Sequence, residues 1–165
     1  MRNYSELLLQ NLSGLFRTSL LITGSAESAE RALVDAIGVL SEFEPSDDVL
    51  SPDVALLAVA RRSVELLQSR KPASDSATER ASTLVQGELR PVLDLPPDLR
   101  CCFVLRTLMG YSREQVGLLL NLQNEDVDML SQGALVRFAA LAQKRGQTMA
   151  AFTSATSGLK GARPN

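Results

Sequence analysis

Apolar residues return at steps of three and four through most of this chain, the spacing that lines one side of a helix. From Tyr4 to Ile22 the stripe is Leu8, Leu12, Leu15, Phe16 and Leu20, with Leu9 beside it. Thr23-Gly24-Ser25 then reads as a stop and a new start, since glycine suits a left-handed exit and a serine hydroxyl can accept from the next helix's unpaired N–H groups. A second helix carries Ala29, Leu33, Ala36, Ile37 and Leu40 on one face and ends near Glu42. Ser51-Pro52-Asp53 opens a third, which runs to about Ser69. The expected fold class is all-α.

Punctuation divides the rest. Glu44 to Asp48 is an acidic loop, and Lys71 to Ser76 is polar and broken by Pro72, the best linker in the chain. Thr78 to Leu89 reads as a short helix ahead of Pro91. Leu95-Pro96-Pro97-Asp98 starts another that carries Leu99, Phe103, Val104 and Leu108 as far as Gly110. Ser112-Arg113-Glu114-Gln115 is a capping box for a helix with Val116, Leu119 and Leu120 inward. Asn121 can take the left-handed conformation of a tight turn, and a longer helix follows from about Glu125 to Gln143. The expected organisation is a helical part over 1–71, a linker over 72–94 with a short helix, a helix-turn-helix part over 95–145 and a flexible tail over 146–165.

Composition removes several functions. Lys and Arg number 17 against 19 Asp and Glu, so no global positive field draws the chain to nucleic acid or an anionic membrane. The chain has no histidine, and its two cysteines, Cys101 and Cys102, are adjacent. Neighbours on a helix cannot form an ordinary disulfide, and without histidine or further cysteine no zinc site can be completed. They read as reduced core thiols. With no histidine-based triad, no paired acids beside a base and no phosphate-binding glycine loop, the expectation is a non-enzyme with no cofactor. A start without the zones of a secretory signal, and no apolar run of membrane-spanning length, point to a cytoplasmic protein.

The run Leu95-Pro-Pro-Asp-Leu-Arg100, then Phe103-Val-Leu-Arg106, Gly110-Tyr-Ser-Arg-Glu-Gln-Val116, Leu119-Leu120 and Val127 resembles region four of the extracytoplasmic-function sigma factors. Leu20-Leu-Ile-Thr-Gly24, Ser28-Ala-Glu-Arg-Ala-Leu-Val34 and Val54 to Leu67 with Arg61-Arg62 resemble region two of the same family, more weakly. The resemblance implies a transcription regulator that docks on core RNA polymerase through its first part and reads promoter DNA through its second.

The chain departs from that family where DNA would be met. The family's last helix carries lysine and arginine to base edges and phosphates. Here it opens, after the turn that ends at Asn124, with Glu125, Asp126 and Asp128, and Leu130, Gln132, Gly133 and Leu135 follow downstream. Gly110 to Phe138 holds Arg113 and Arg137 against Glu114, Glu125, Asp126 and Asp128. A carboxylate about 6 Å from a phosphate repels it by about 0.7 kcal/mol even in water. The cations that would release counterions are missing as well. Between Ser51 and Arg70 there is no aromatic side chain on which an unpaired base could stack.

Each of these residues also has a plain reading. Arg61 and Arg62 form either a basic face for DNA or polymerase or a solvated helix side. Glu125, Asp126 and Asp128 stabilise a helix N-terminus whatever else they do. Leu130, Leu135, Val136 and Phe138 are either core or a partner surface. Two functions stay open: a sigma-type regulator with weakened promoter contact, and a sigma-like module that binds protein, as a decoy for an anti-sigma factor or as a homodimer. The residues expected to face nucleic acid or a partner are Arg61, Arg62, Arg113, Asn124, Glu125, Asp126, Asp128, Met129 and Gln132.

Overall fold

The structure is a computed structural model and describes residues 4–41, 52–69, 81–85 and 87–159, among which every regular element is helical. Tyr4–Thr23 (α1), Ala26–Ser41 (α2) and Pro52–Ser69 (α3) come first. A helical turn at 81–84 (α4) and a 3-10 turn at Gly87–Leu89 lead into Arg90–Leu93 (α5). Pro97–Cys102 (α6) widens into a π-helical stretch at Phe103–Leu108, and Arg113–Leu120 (α7) and Asn124–Leu159 (α8) complete the chain. The acidic loop at Glu44, the Ser51 cap and the linker around Pro72 lie outside the described residues.

Helices α1, α2 and α3 pack together around Leu15, Leu33, Ala36, Ala55 and Val59. The expected stripe on α1 accounts for Leu15 and Leu20, but every residue from Ser19 to Ser25 is buried. The end of α1 is enclosed on all sides. Its polar atoms are answered internally: the Ser19 and Ser63 hydroxyls lie 2.8 Å apart, Ser63 donates to the Val59 carbonyl at 2.7 Å, and Thr23 donates to the Ser19 carbonyl at 2.9 Å. Each hydroxyl has one proton, and the Ser19 hydroxyl also lies 3.3 Å from the Ala29 carbonyl, so the pair has two carbonyl acceptors within reach. Gly24 leaves the helix at φ 67°, and the Ser28 N–H reaches the Ser25 hydroxyl at 3.4 Å, the stop and cap that the sequence suggests.

A larger core then runs through both parts of the chain. It joins Leu20, Leu21 and Ile22 of α1 and Val64 of α3 to Val92, the Cys101–Leu105 run, Val116, Val127 and Ala134. The two parts share buried side chains, with Phe16, Leu130 and Phe138 packed at the margin. Phe103 stacks on Phe138 with ring centroids 4.7 Å apart and planes 26° from parallel.

Three local features differ from expectation. Pro91 does not end a helix; it stands in the first turn of α5, where its missing N–H has no intrahelical partner to lose. The helix begun at Pro97 does not stay α-helical to Gly110. The Met109 N–H reaches back to the Val104 carbonyl at 2.9 Å, a five-residue step, before Gly110 turns out at φ 72°. Finally, α8 does not give way to a tail at Gly146 but remains helical to Leu159. Residues 147–159 contain no proline and include alanine, methionine and leucine, and neither Gly146 nor Gly158 interrupts the helix. No helix among the described residues is long and apolar enough to cross a membrane.

Candidate functional site

The α7–α8 corner is built from backbone outward. The Gln115 N–H donates to the Ser112 hydroxyl at 3.2 Å and the Ser112 N–H donates to the Gln115 carboxamide oxygen at 2.8 Å, so the box closes in both directions. Asn121 adopts φ 56° and ψ 48°, which ends α7 and swings the chain toward Asn124. Gly117 makes the tight return feasible: a Cβ there would stand 2.8 Å from the Leu122 carbonyl oxygen. That glycine escapes a reading by periodicity. Its only signal in the sequence is a glycine set inside an apolar helical run.

Arg113 opens α7 and faces carboxylates only. Its Nε lies 2.9 Å from Glu114 Oε1 and a terminal nitrogen lies 3.4 Å from Asp128 Oδ2 on α8. The hydrogen bonds from Arg113, from its own backbone N–H and from Ser112 hold Glu114 at about 2, while the Glu114 and Asp128 bonds push Arg113 up. The arginine expected to meet DNA or a partner is therefore tied to the acids beside it.

Beyond the turn, Glu125 and Asp128 are exposed and Asp126 and Asn124 are half-buried. Met129 is 64% exposed and Gln132 is exposed with it. Together with Gly133, Val136, Ala140 and Leu99 of α6 they line a shallow, mostly apolar groove. The apolar residues of α8 separate by side: Leu130 and Phe138 join the core, while Leu135 and Val136 stay in solvent.

Arg61 and Arg62 are elsewhere, bordering an apolar groove between α2 and α3 with Val39, Val54 and Leu57. Both reach Glu65, at 3.1 and 2.8 Å. Burial works to raise the Glu65 pKa, but the hydrogen bonds from Arg62 and Arg61 outweigh it and hold the carboxyl below its usual range. Seven of the nine expected residues thus share the α7–α8 corner, and these two do not.

A residue outside the expected set organises the centre. Arg100 is buried at 7% exposure; its Nε donates to the Ile22 carbonyl at 3.1 Å and a terminal nitrogen donates to the Leu93 carbonyl at 3.3 Å. A cation at the last turn of α1 complements the helix dipole. Burial pulls its pKa below the ordinary value. Beside it Cys101 and Cys102 are buried thiols, pushed up to about 12 and about 11 mainly by desolvation. Neither is positioned for nucleophilic chemistry.

Among family models, curated proteins and solved structures, nothing matches this chain.

Proposed function

We propose that the chain is a sigma-like transcription regulator whose helix-turn-helix, α7 and α8, meets protein in place of promoter DNA. One observation carries this reading: Arg113 is paired to Glu114 and Asp128, so the start of α8 offers Glu125, Asp126 and Met129 where phosphate contact would need cations. A groove lined by apolar side chains with Gln132 and Arg137, and with carboxylates at its beginning, suits a protein surface better than a polyanion. The second part supplies the contact face, and an anti-sigma-type protein is the partner class that goes with it, while core polymerase is what the resemblance implies for the first part. A cytoplasmic location goes with that role.

The test is DNA binding against ionic strength, read by fluorescence anisotropy. A promoter-reading factor gains affinity steeply as salt falls. The expected result is no binding at about 50 mM salt, where counterion release is strongest. Tight, salt-sensitive binding would sink the proposal. Asp128→Lys with Gln132→Arg sharpens it, because both positions are exposed and a gain of binding would trace the loss to surface charge.

A further inference from the structure

The open side of α8 is complementary to itself. Met129, Gly133, Val136 and Ala140 recur at steps of four, three and four, a single stripe down the helix, and Met129 and Val136 are 64% and 72% exposed. Gly133 leaves a hollow floored by α6: a Cβ placed there would lie 3.5 Å from a Leu99 methyl carbon. Charge divides along the same side. Glu125 and Asp126 stand at its beginning, Arg137 and Lys144 toward its end.

We propose that a second copy of this chain fills the groove, with α8 packed antiparallel on α8 about a two-fold axis level with the Ala134–Leu135 peptide bond. The inference rests on the protein-facing reading of α8 and names the partner. About that axis Met129 comes level with Ala140 of the second copy, Gly133 with Val136, Gln132 with Arg137, and Glu125 with Lys144. Large residues thus meet small ones, Val136 entering the hollow over Gly133 as a knob enters a hole. Asp126 falls within one residue of the Lys144 level, so each end of the contact sets two carboxylates beside an ammonium. A parallel pairing would instead bring Glu125 to Glu125 and Arg137 to Arg137, a like-charge arrangement along its length. The antiparallel contact is the same patch on both copies, so it closes at two. From Glu125 to Lys144 it extends about 30 Å, the rise of the helix over that stretch.

Charge reversal tests it on the full chain. The wild type is expected to sediment as a dimer at about 100 µM, a concentration within reach of a small interface. Lys144→Glu alone, and Glu125→Lys with Asp126→Lys in a separate chain, should each associate about tenfold more weakly, because both ends then carry like charges. Mixing the two variants should recover a heterodimer, since each end again pairs opposite charges. That recovery shows in the same sample that both variants are folded. Val136→Glu should give a monomer that no mixing rescues. A wild-type monomer at that concentration, or a dimer indifferent to all three changes, would overturn the proposal. A monomer that also ignores DNA would overturn the dimer while leaving the protein-facing reading intact. A monomer that binds DNA with steep salt dependence would remove both.

Discussion

Arg100 is the buried cation that ties α1, α5 and α6 together. Replacing it with Met would leave the Ile22 and Leu93 carbonyls without their donor in a buried setting, a loss of about 2 to 3 kcal/mol. Urea unfolding would read this directly. Lys should not rescue it, because one ammonium cannot reproduce two divergent guanidinium donors. Gly24→Ala strikes the same place from the other side: its Cβ would stand 2.9 Å from the guanidinium, at a φ of 67° that alanine resists. The two changes should be non-additive in a double-mutant cycle, the mark of a shared contact. At the surface, Glu114 has a folded pKa of about 2 against an ordinary 4.5. A depressed carboxyl contributes stability above its unfolded pKa and loses that contribution as pH falls toward the folded one, so the window runs from 4.5 down to about 2. Arg113→Ala should move the Glu114 titration up toward 4.5, measured by carboxyl NMR; an unmoved value would assign the depression to Ser112 and the backbone alone.

At the scale of elements, the corner between α7 and α8 depends on a glycine. Gly117→Ala sets a Cβ 2.8 Å from a backbone oxygen that cannot swing aside as a side chain could, so the turn must open. The expected outcome is a fall in Tm of roughly 2–4 °C for each kcal/mol lost, the scale for a cooperative unit of more than about 150 residues. Much of this corner was legible beforehand. The capping box and the left-handed Asn121 follow from local hydrogen-bond supply and from side-chain tolerance of positive φ, both of which are properties of neighbouring residues. Arg100 and Gly117 were not legible, because what makes each necessary is a carbonyl brought close by the fold, 78 residues away in the case of Arg100 and Ile22. The π-helical stretch after Cys102 escaped for a related reason: its apolar run suits either geometry, and only packing selects between them. The length of α8 was missed because polar, small residues suggested a tail where nothing actually breaks a helix.

For the molecule as a whole, the core that joins Leu20 to Val127 predicts one cooperative unfolding transition. Circular dichroism and the fluorescence of the two tyrosines, Tyr4 and Tyr111, should report the same midpoint; two separate transitions would mean that the parts melt independently. Residues 95–145 expressed alone should remain largely unfolded, since their core would lose Leu20, Ile22 and Val64. The thiols give an independent reading: Cys101 and Cys102 should resist a thiol reagent at neutral pH in the native protein and react together at the urea midpoint.

The anchoring of Arg100 also limits reach. A factor that touches an upstream and a downstream promoter element at once must hold its two readers some distance apart. Here the end of α1 is fastened to α6 through the Arg100 guanidinium and the Ile22 carbonyl, and the same guanidinium holds the Leu93 carbonyl of α5. Spreading them would strand that cation in a parting interior, so on the sigma-like reading proposed above the two parts would work from the closed form.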